Sequence, residues 1–128
     1  MKRQVIATEG APAAVGPYSQ AIQIGDLVFT AGQIGIDPQA KRLVEGGIEA
    51  QTRQTLNNLK AILEAAGTSM AHAVKVTVYL QDIQDFKAMN EVYAEFFPAA
   101  PPARAAAQVA ALPLGAMVMI DTVAAIIE

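Results

Sequence analysis

The chain has 128 residues, of which 53% are hydrophobic and 16% are charged, and its formal net charge is −3. No apolar run approaches the roughly 20 residues of a membrane-spanning helix, and no basic cluster extends beyond Lys2-Arg3 and Lys41-Arg42. The sequence therefore argues against insertion into a membrane and against a nucleic-acid partner. It contains no cysteine, which excludes disulfides and thiolate chemistry.

The composition also predicts organisation and location. The length fits one domain over residues 1–128. A small protein with so little polar surface most simply covers its apolar surface with copies of itself, so we expect a homo-oligomer. The N-terminus leads into a short β-like run and not into the apolar core of a signal peptide, so we expect a cytoplasmic protein.

In the first half of the chain the pattern predicts strands and then a helix. Strands are expected over 3–7, 20–24 and 27–31, with Gly25-Asp26 as a hairpin turn. Residues 32–47 are rich in turn formers and are expected to form a loop. From Ile48 to Ala66 apolar residues recur every three or four positions, which predicts an amphipathic helix that stops at Gly67.

The second half predicts a strand over 74–80, a second helix and two further strands. Asp82 is expected to cap this helix, which would bury Ile83, Phe86, Met89, Tyr93 and Phe96 or Phe97. Strands are expected over 103–112 and 116–126, joined by a turn around Pro113-Leu114-Gly115. This order predicts an α+β fold, in which two helices cover one face of a mixed sheet and the other face packs against sister subunits.

Arg104 is the one charged residue between Glu95 and Asp121, and its small, apolar neighbours predict a buried strand. Arginine keeps its charge, and an unpaired buried charge is costly, so Arg104 needs an anion. Its planar guanidinium fits a carboxylate with two parallel hydrogen bonds, which favours a small carboxylate ligand. A structural ion pair, or a side chain that extends to water from a strand end, explains the residue as well.

Other kinds of site have little support in the sequence. His72 is the single histidine, so a Ser/His/Asp triad or a histidine-based metal site has almost nothing to build on. There is no GxGxxG or Walker pattern. We expect no cofactor and no metal.

Five segments together resemble one known family. Three of them are continuous: GPYSQA at 16–21, FTAGQI at 29–34 and QTRQTLNNL at 51–59. The fourth is a spaced set that runs from Asp85-Phe86 through Asn90 and Tyr93 to Phe96-Phe97, and the fifth is Pro102-Ala103-Arg104. In order and spacing the chain is similar over essentially its whole length to the reactive-intermediate deaminase (Rid) family. The resemblance implies a chorismate-mutase-like fold, assembled as a homotrimer around a central barrel with ligand sites between subunits.

The resemblance also implies an activity, the hydrolysis of small 2-imino or enamine acids such as 2-iminopropanoate and 2-iminobutanoate to 2-keto acids and ammonia. By similarity Arg104 would hold the substrate carboxylate and Tyr18 would close the cleft. Other residues would line it: Ala31, Gly32, Asn90, Ala106 and Met119. Taken singly, Tyr18 is equally an interface aromatic, Gly32 a strand-end turn and Asn90 a hydrogen-bonding helix residue.

Two positions depart from the family pattern. The family usually has an aliphatic–Glu–aliphatic strand where this chain has Val118-Met119-Ile120, so the acidic residue that would orient or deprotonate water is a methionine. Ala106 replaces a cysteine or small polar residue. Asp121 shares the face of Met119, but its Cα lies about 6–7 Å along the strand, so it cannot simply substitute.

Two alternatives to a deaminase remain. One is a trimeric binder of small carboxylate metabolites without turnover, or with weak turnover, which the methionine at position 119 would favour. The other is a ribonuclease or translation inhibitor, labels attached to the family. The negative charge, the missing basic patch and the lone His72 make the latter the poorest fit.

Overall fold

A computed structural model of the chain describes residues 1–127. Eight strands and two α-helices make up the regular structure. They are β1 (Arg3–Ile6), β2 (Ala21–Ile24), β3 (Leu27–Thr30), β4 (Ile36–Asp37), β5 (Arg42–Leu43), α1 (Gly47–Ala65), β6 (Ala73–Leu80), α2 (Phe86–Phe96), β7 (Ala103–Gln108) and β8 (Val118–Ala125). Neither helix has the length and apolar character needed to cross a membrane, among the residues described.

Six strands form one mixed sheet in the order β1-β2-β3-β8-β6-β7. The pair β6–β7, which α2 connects, is parallel, and the other neighbours are antiparallel. The final strand, β8, inserts between β3 and β6, so β7 is left at the edge of the sheet. The predicted α+β fold with a mixed sheet and two helices is confirmed.

The core lies between the helices and one face of the sheet. On α1 the buried positions follow the predicted apolar stripe, and α2 buries Met89, Val92 and Tyr93. The fully buried sheet residues alternate along their strands, as expected where one face is covered: Val28, Val76, Val78, Leu80, Val118 and Ile120. Helix α1 ends one residue before the predicted end, and Gly67, with φ +88°, lies just beyond it.

The opposite face of the sheet has no helix over it, and we call it the open face. Its side chains include large apolar groups that the single chain leaves partly exposed, among them Val5 (54%), Phe29 (43%) and Leu27 (39%). Exposed apolar surface of this extent is typical of a contact surface.

Three sequence predictions were wrong in detail. Residues 32–47 are not all loop, because β4 and β5 form a small hairpin. Asp82 caps a short 3-10 turn that precedes α2 by accepting the Gln84 N–H, and Ile83 in that turn is 44% exposed. Strand β7 is exposed over most of its length in the single chain, because an edge strand of small residues has no neighbour to cover it.

A buried asparagine holds the segment that follows β3. The Asn58 side chain on α1 is fully buried, and its amide donates to the carbonyl oxygens of Ile34 at 3.2 Å and Ile36 at 3.0 Å. Its own oxygen accepts from Gln54 at 2.8 Å. These bonds tie the segment after Gly32 to α1, and they add to the backbone bridge from Gln33 to Ile120 and the pairing of Ile36 with Leu43.

We expect Asn58→Ala to lower the free energy of unfolding by at least about 2 kcal/mol, because it removes a fully buried side chain that makes three hydrogen bonds, among them the one that it donates to the Ile36 carbonyl. Asn57→Ala is the matched control, since Asn57 is the exposed neighbour on the same helix, and its change should stay within about 0.5 kcal/mol. Urea unfolding at one protein concentration measures both. Equal effects from the two variants would contradict the role given to Asn58.

Candidate functional site

Arg104 lies on the edge strand β7 and points to the helix side of the sheet. It pairs in parallel with Val76, which faces the core, and paired residues of neighbouring strands share a face. The prediction that Arg104 is buried in an apolar strand is wrong for the single chain, where the residue is exposed. The charge is therefore presented at the surface, beside α2.

Three residues of α2 surround the Arg104 guanidinium. Phe86, Asn90 and Tyr93 are spaced by four and three residues, so they lie on one face of the helix. The Nη1 group of Arg104 donates to the Oδ1 oxygen of Asn90. Its Cζ atom lies 4.7 Å from the ring centroid of Tyr93 and 5.4 Å from that of Phe86, both within cation–π range. This set is called the arginine group.

No carboxylate of residues 1–127 pairs with Arg104. The ion pair found in that range joins Arg53 to Glu95 at 2.8 Å. Asn90 supplies a neutral oxygen to one guanidinium nitrogen, so the positive charge is oriented but not neutralised. A guanidinium held this way can offer its remaining N–H groups to an external carboxylate or phosphate.

Tyr93 is the buried wall of the arginine group. Burial raises the pKa of the Tyr93 phenol, and the nearby charge of Arg104 opposes that rise. Its hydroxyl is buried without a hydrogen-bond partner among the described residues. The ring also packs against Phe97, with the two centroids 4.6 Å apart. Tyr93 therefore contributes its ring face to Arg104 and keeps its proton.

A second set of predicted site residues lies beside the first three strands. Tyr18, 52% exposed, and Ala31 border a surface groove of about 540 Å³. Next to Ala31, the Met119 side chain packs on Gly32 so closely that a Cβ at Gly32 would lie 2.9 Å from the sulfur. A side chain at position 32 would have to push the flexible Met119 thioether aside, so glycine permits this contact. Tyr18, Ala31, Gly32 and Met119 are called the methionine group.

One chain does not bring the two groups together. Ala106 pairs with Val78 and packs on the core side, so it belongs with Arg104. Met119 pairs with Tyr79 and lies on the open face, and β6 separates its strand from β7. The predicted site residues therefore form two half-sites on opposite faces of the sheet.

Two contributors were missed by the sequence analysis. Phe86 and Tyr93 were assigned to the core, although they contact the guanidinium of Arg104. Their spacing to Asn90 on a predicted helix was a usable signal, because it places all three side chains on one face.

Comparisons with a family model, with curated proteins and with solved structures all find matches over nearly the whole chain. The family model described as endoribonuclease L-PSP matches residues 8–126. A RutC family protein of Pyrococcus horikoshii is 54% identical over 122 residues, covering 95% of this chain and 97% of that protein. A mouse protein named 2-iminobutanoate/2-iminopropanoate deaminase is 49% identical, with coverage of 95% and 90%. The structure of E. coli TdcF with bound serine matches with a TM-score of 0.91 at 40% identity, covering 95% of this chain and 98% of that one.

The Tyr93 hydroxyl gives a pH-dependent prediction. An unfolded chain releases the Tyr93 proton near the ordinary pKa of 10.0, whereas the folded chain retains it to higher pH. Since the native state then binds more protons, the free energy of unfolding falls as the pH rises above about 10. Tyr93→Phe should make this fall shallower without abolishing it, because the pKa of Tyr79 is also raised.

At pH 7 the same variant should be as stable as the wild type, or more stable by up to about 1 kcal/mol, since it removes a buried hydroxyl that lacks a partner. Denaturant unfolding at pH 7 and at alkaline pH measures both effects. A loss above about 1 kcal/mol at pH 7 would mean that the hydroxyl has a partner.

Proposed function

This chain belongs to the endoribonuclease L-PSP family, which includes the reactive-intermediate deaminases, and on that premise we propose that it hydrolyses small 2-imino and enamine acids. The substrates would be 2-iminopropanoate and 2-iminobutanoate, and the products the 2-keto acid and ammonia. Removal of these reactive species would protect other cell components from them. Relatives that share 48–49% identity carry the name of this activity.

The observation that carries the proposal is the unpaired guanidinium of Arg104. Asn90, Phe86 and Tyr93 fix the position of this guanidinium, and no carboxylate of residues 1–127 forms an ion pair with it. A 2-imino acid carries a carboxylate next to the reacting carbon, so two hydrogen bonds from Arg104 would fix the distance and direction of that carbon. The structural relative that holds serine contains a ligand with a similar carboxylate.

The separation of the half-sites supports a site shared by two copies of the chain. Arg104 and Asn90 lie on the helix side at the sheet edge, and Gly32 and Met119 lie on the open face. A ring of subunits would place the arginine group of one copy against the methionine group of the next. We propose a homotrimer whose open faces form a central barrel, with a cytoplasmic location. Its apolar side chains, Phe29 and Leu27 among them, would then be covered.

A second function is favoured by Met119. A thioether cannot exchange a proton, so the residue that packs on Gly32 has no part in acid–base chemistry. A trimer that binds small carboxylate metabolites with little or no turnover would keep the arginine group and need nothing more. Release of ammonia from freshly generated 2-iminobutanoate separates the two functions, because a binder would exceed the uncatalysed rate only slightly or not at all.

For the deaminase we expect Arg104→Ala to lower kcat/KM at least about 100-fold, since two charge-assisted hydrogen bonds contribute about 1.5–3 kcal/mol each. Arg104→Lys keeps the charge but loses the planar fork, and should fall between that variant and the wild type. Arg53→Ala is the matched control, because Arg53 is paired with Glu95 on the helix surface. A coupled assay for ammonia measures all four proteins. Full activity of Arg104→Ala would assign Arg104 a structural role.

A further inference from the structure

The open face carries one hydrogen-bonded pair of titratable side chains beside the methionine group. The Tyr79 hydroxyl donates to the Oδ2 oxygen of Asp121 at 3.1 Å, and both side chains are half-buried. Neither residue belongs to the arginine group or the methionine group. The pair therefore remains to be explained.

The strand register places this pair against the methionine group. Tyr79 lies directly opposite Met119, and Asp121 lies opposite Thr77, so the phenol extends diagonally from one position to the next. On the other side of β8, Phe29 pairs with Val123 and Gln33 bridges to Ile120. The Ala31–Gly32 segment between those contacts therefore runs alongside Met119 and Asp121.

Neither the arginine group nor the methionine group contains a carboxylate that could take part in proton transfer. Arg104 cannot give up its proton, and the Asn90 amide and the Met119 thioether cannot exchange one at neutral pH. Tyr18 is an exposed phenol. On the open face, Asp121 is the carboxylate next to Gly32 and Met119. The charged residue near it on β6 is Lys75, which pairs with Val123.

The phenol of Tyr79 is suited to hold this carboxylate. Burial and the charge of Asp121 raise the pKa of Tyr79, so its hydroxyl keeps the proton that it donates to the Oδ2 oxygen. The second carboxylate oxygen is left for another donor. The Cα of Asp121 lies about 6–7 Å from that of Met119 along the strand. Tyr79 lies opposite Met119, so its hydrogen bond holds the Asp121 carboxylate on the side nearer to Met119.

We propose that Asp121 is the general base of this protein and that Tyr79 is its positioning residue, an assignment that rests on the proposed deaminase function. The water oxygen bonds to the imine carbon while Asp121 takes a water proton, and the C=N electron pair moves to nitrogen. Asp121 then returns the proton to that nitrogen, which gives a carbinolamine. In the second step Asp121 takes the hydroxyl proton as the C=O bond forms and the C–N bond breaks, and the proton leaves with ammonia.

The test is steady-state kinetics with 2-iminobutanoate. Asp121→Asn keeps the shape and can still accept the Tyr79 hydrogen bond, but it cannot take a proton. We expect its kcat to fall about 100- to 10,000-fold with little change in KM. Tyr79→Phe should lower kcat about fivefold to tenfold, the effect of one hydrogen bond.

A rescue variant distinguishes catalysis from structure. Adding Met119→Glu to Asp121→Asn returns a carboxylate to the same face beside Gly32, and should raise kcat at least about tenfold over Asp121→Asn alone. Glu91→Gln, on the exposed surface of α2, controls for loss of a carboxylate and should leave kcat unchanged. Melting temperature and molecular mass are measured for every variant.

The outcomes separate the two claims. An active wild type with Asp121→Asn within twofold of it overturns the inference alone. A fall in kcat that Met119→Glu does not rescue, together with a lowered melting temperature, also overturns it. A wild type no faster than the uncatalysed reaction overturns the proposed function, and the role of Asp121 with it. If Asp121→Asn does not fold, the kcat of Tyr79→Phe is the test instead, and an unchanged kcat for that variant would overturn the role proposed for Asp121 and Tyr79.

Discussion

The Arg104 guanidinium is a fixed positive charge, and its own chain orients that charge without neutralising it. Asn90 accepts one of its hydrogen bonds, and the rings of Phe86 and Tyr93 restrict the plane of the group. Restricting an arginine before a ligand arrives lowers the entropy lost on binding. In the proposed function, the position of α2 against the edge strand would therefore serve ligand binding as well as packing.

The sheet order determines what one chain can and cannot assemble. Because β8 lies between β3 and β6, Met119 is placed beside Gly32 and opposite Tyr79, away from the edge strand that carries Arg104. The proposed substrate binding and the proposed proton transfer therefore use opposite faces of the sheet. Two copies of the chain would join these faces, which links the proposed activity to assembly.

Local patterns in the sequence predicted local structure well. The three- and four-residue spacing from Ile48 onward located α1 to within a residue at each end, and alternation located β6. The burial of β7 was predicted wrongly, because a run of alanines has the same sequence pattern on an exposed edge strand as on a buried strand. The separation of Arg104 from Met119 depends on where β8 inserts, and no local pattern encodes that. The bond between Tyr79 and Asp121 joins residues 42 apart in sequence and was equally out of reach.

Complementation between inactive variants tests the shared site most directly. Arg104→Ala removes one half-site, and Gly32→Val, whose side chain would displace the Met119 thioether, is designed to disrupt the other. If neighbouring copies share each site, equal amounts of the two variants, unfolded and reassembled together, should regain about a quarter of wild-type deaminase activity, the fraction of random neighbours that carry both intact halves. A mixture no more active than either variant alone would contradict a site formed between two copies of the chain.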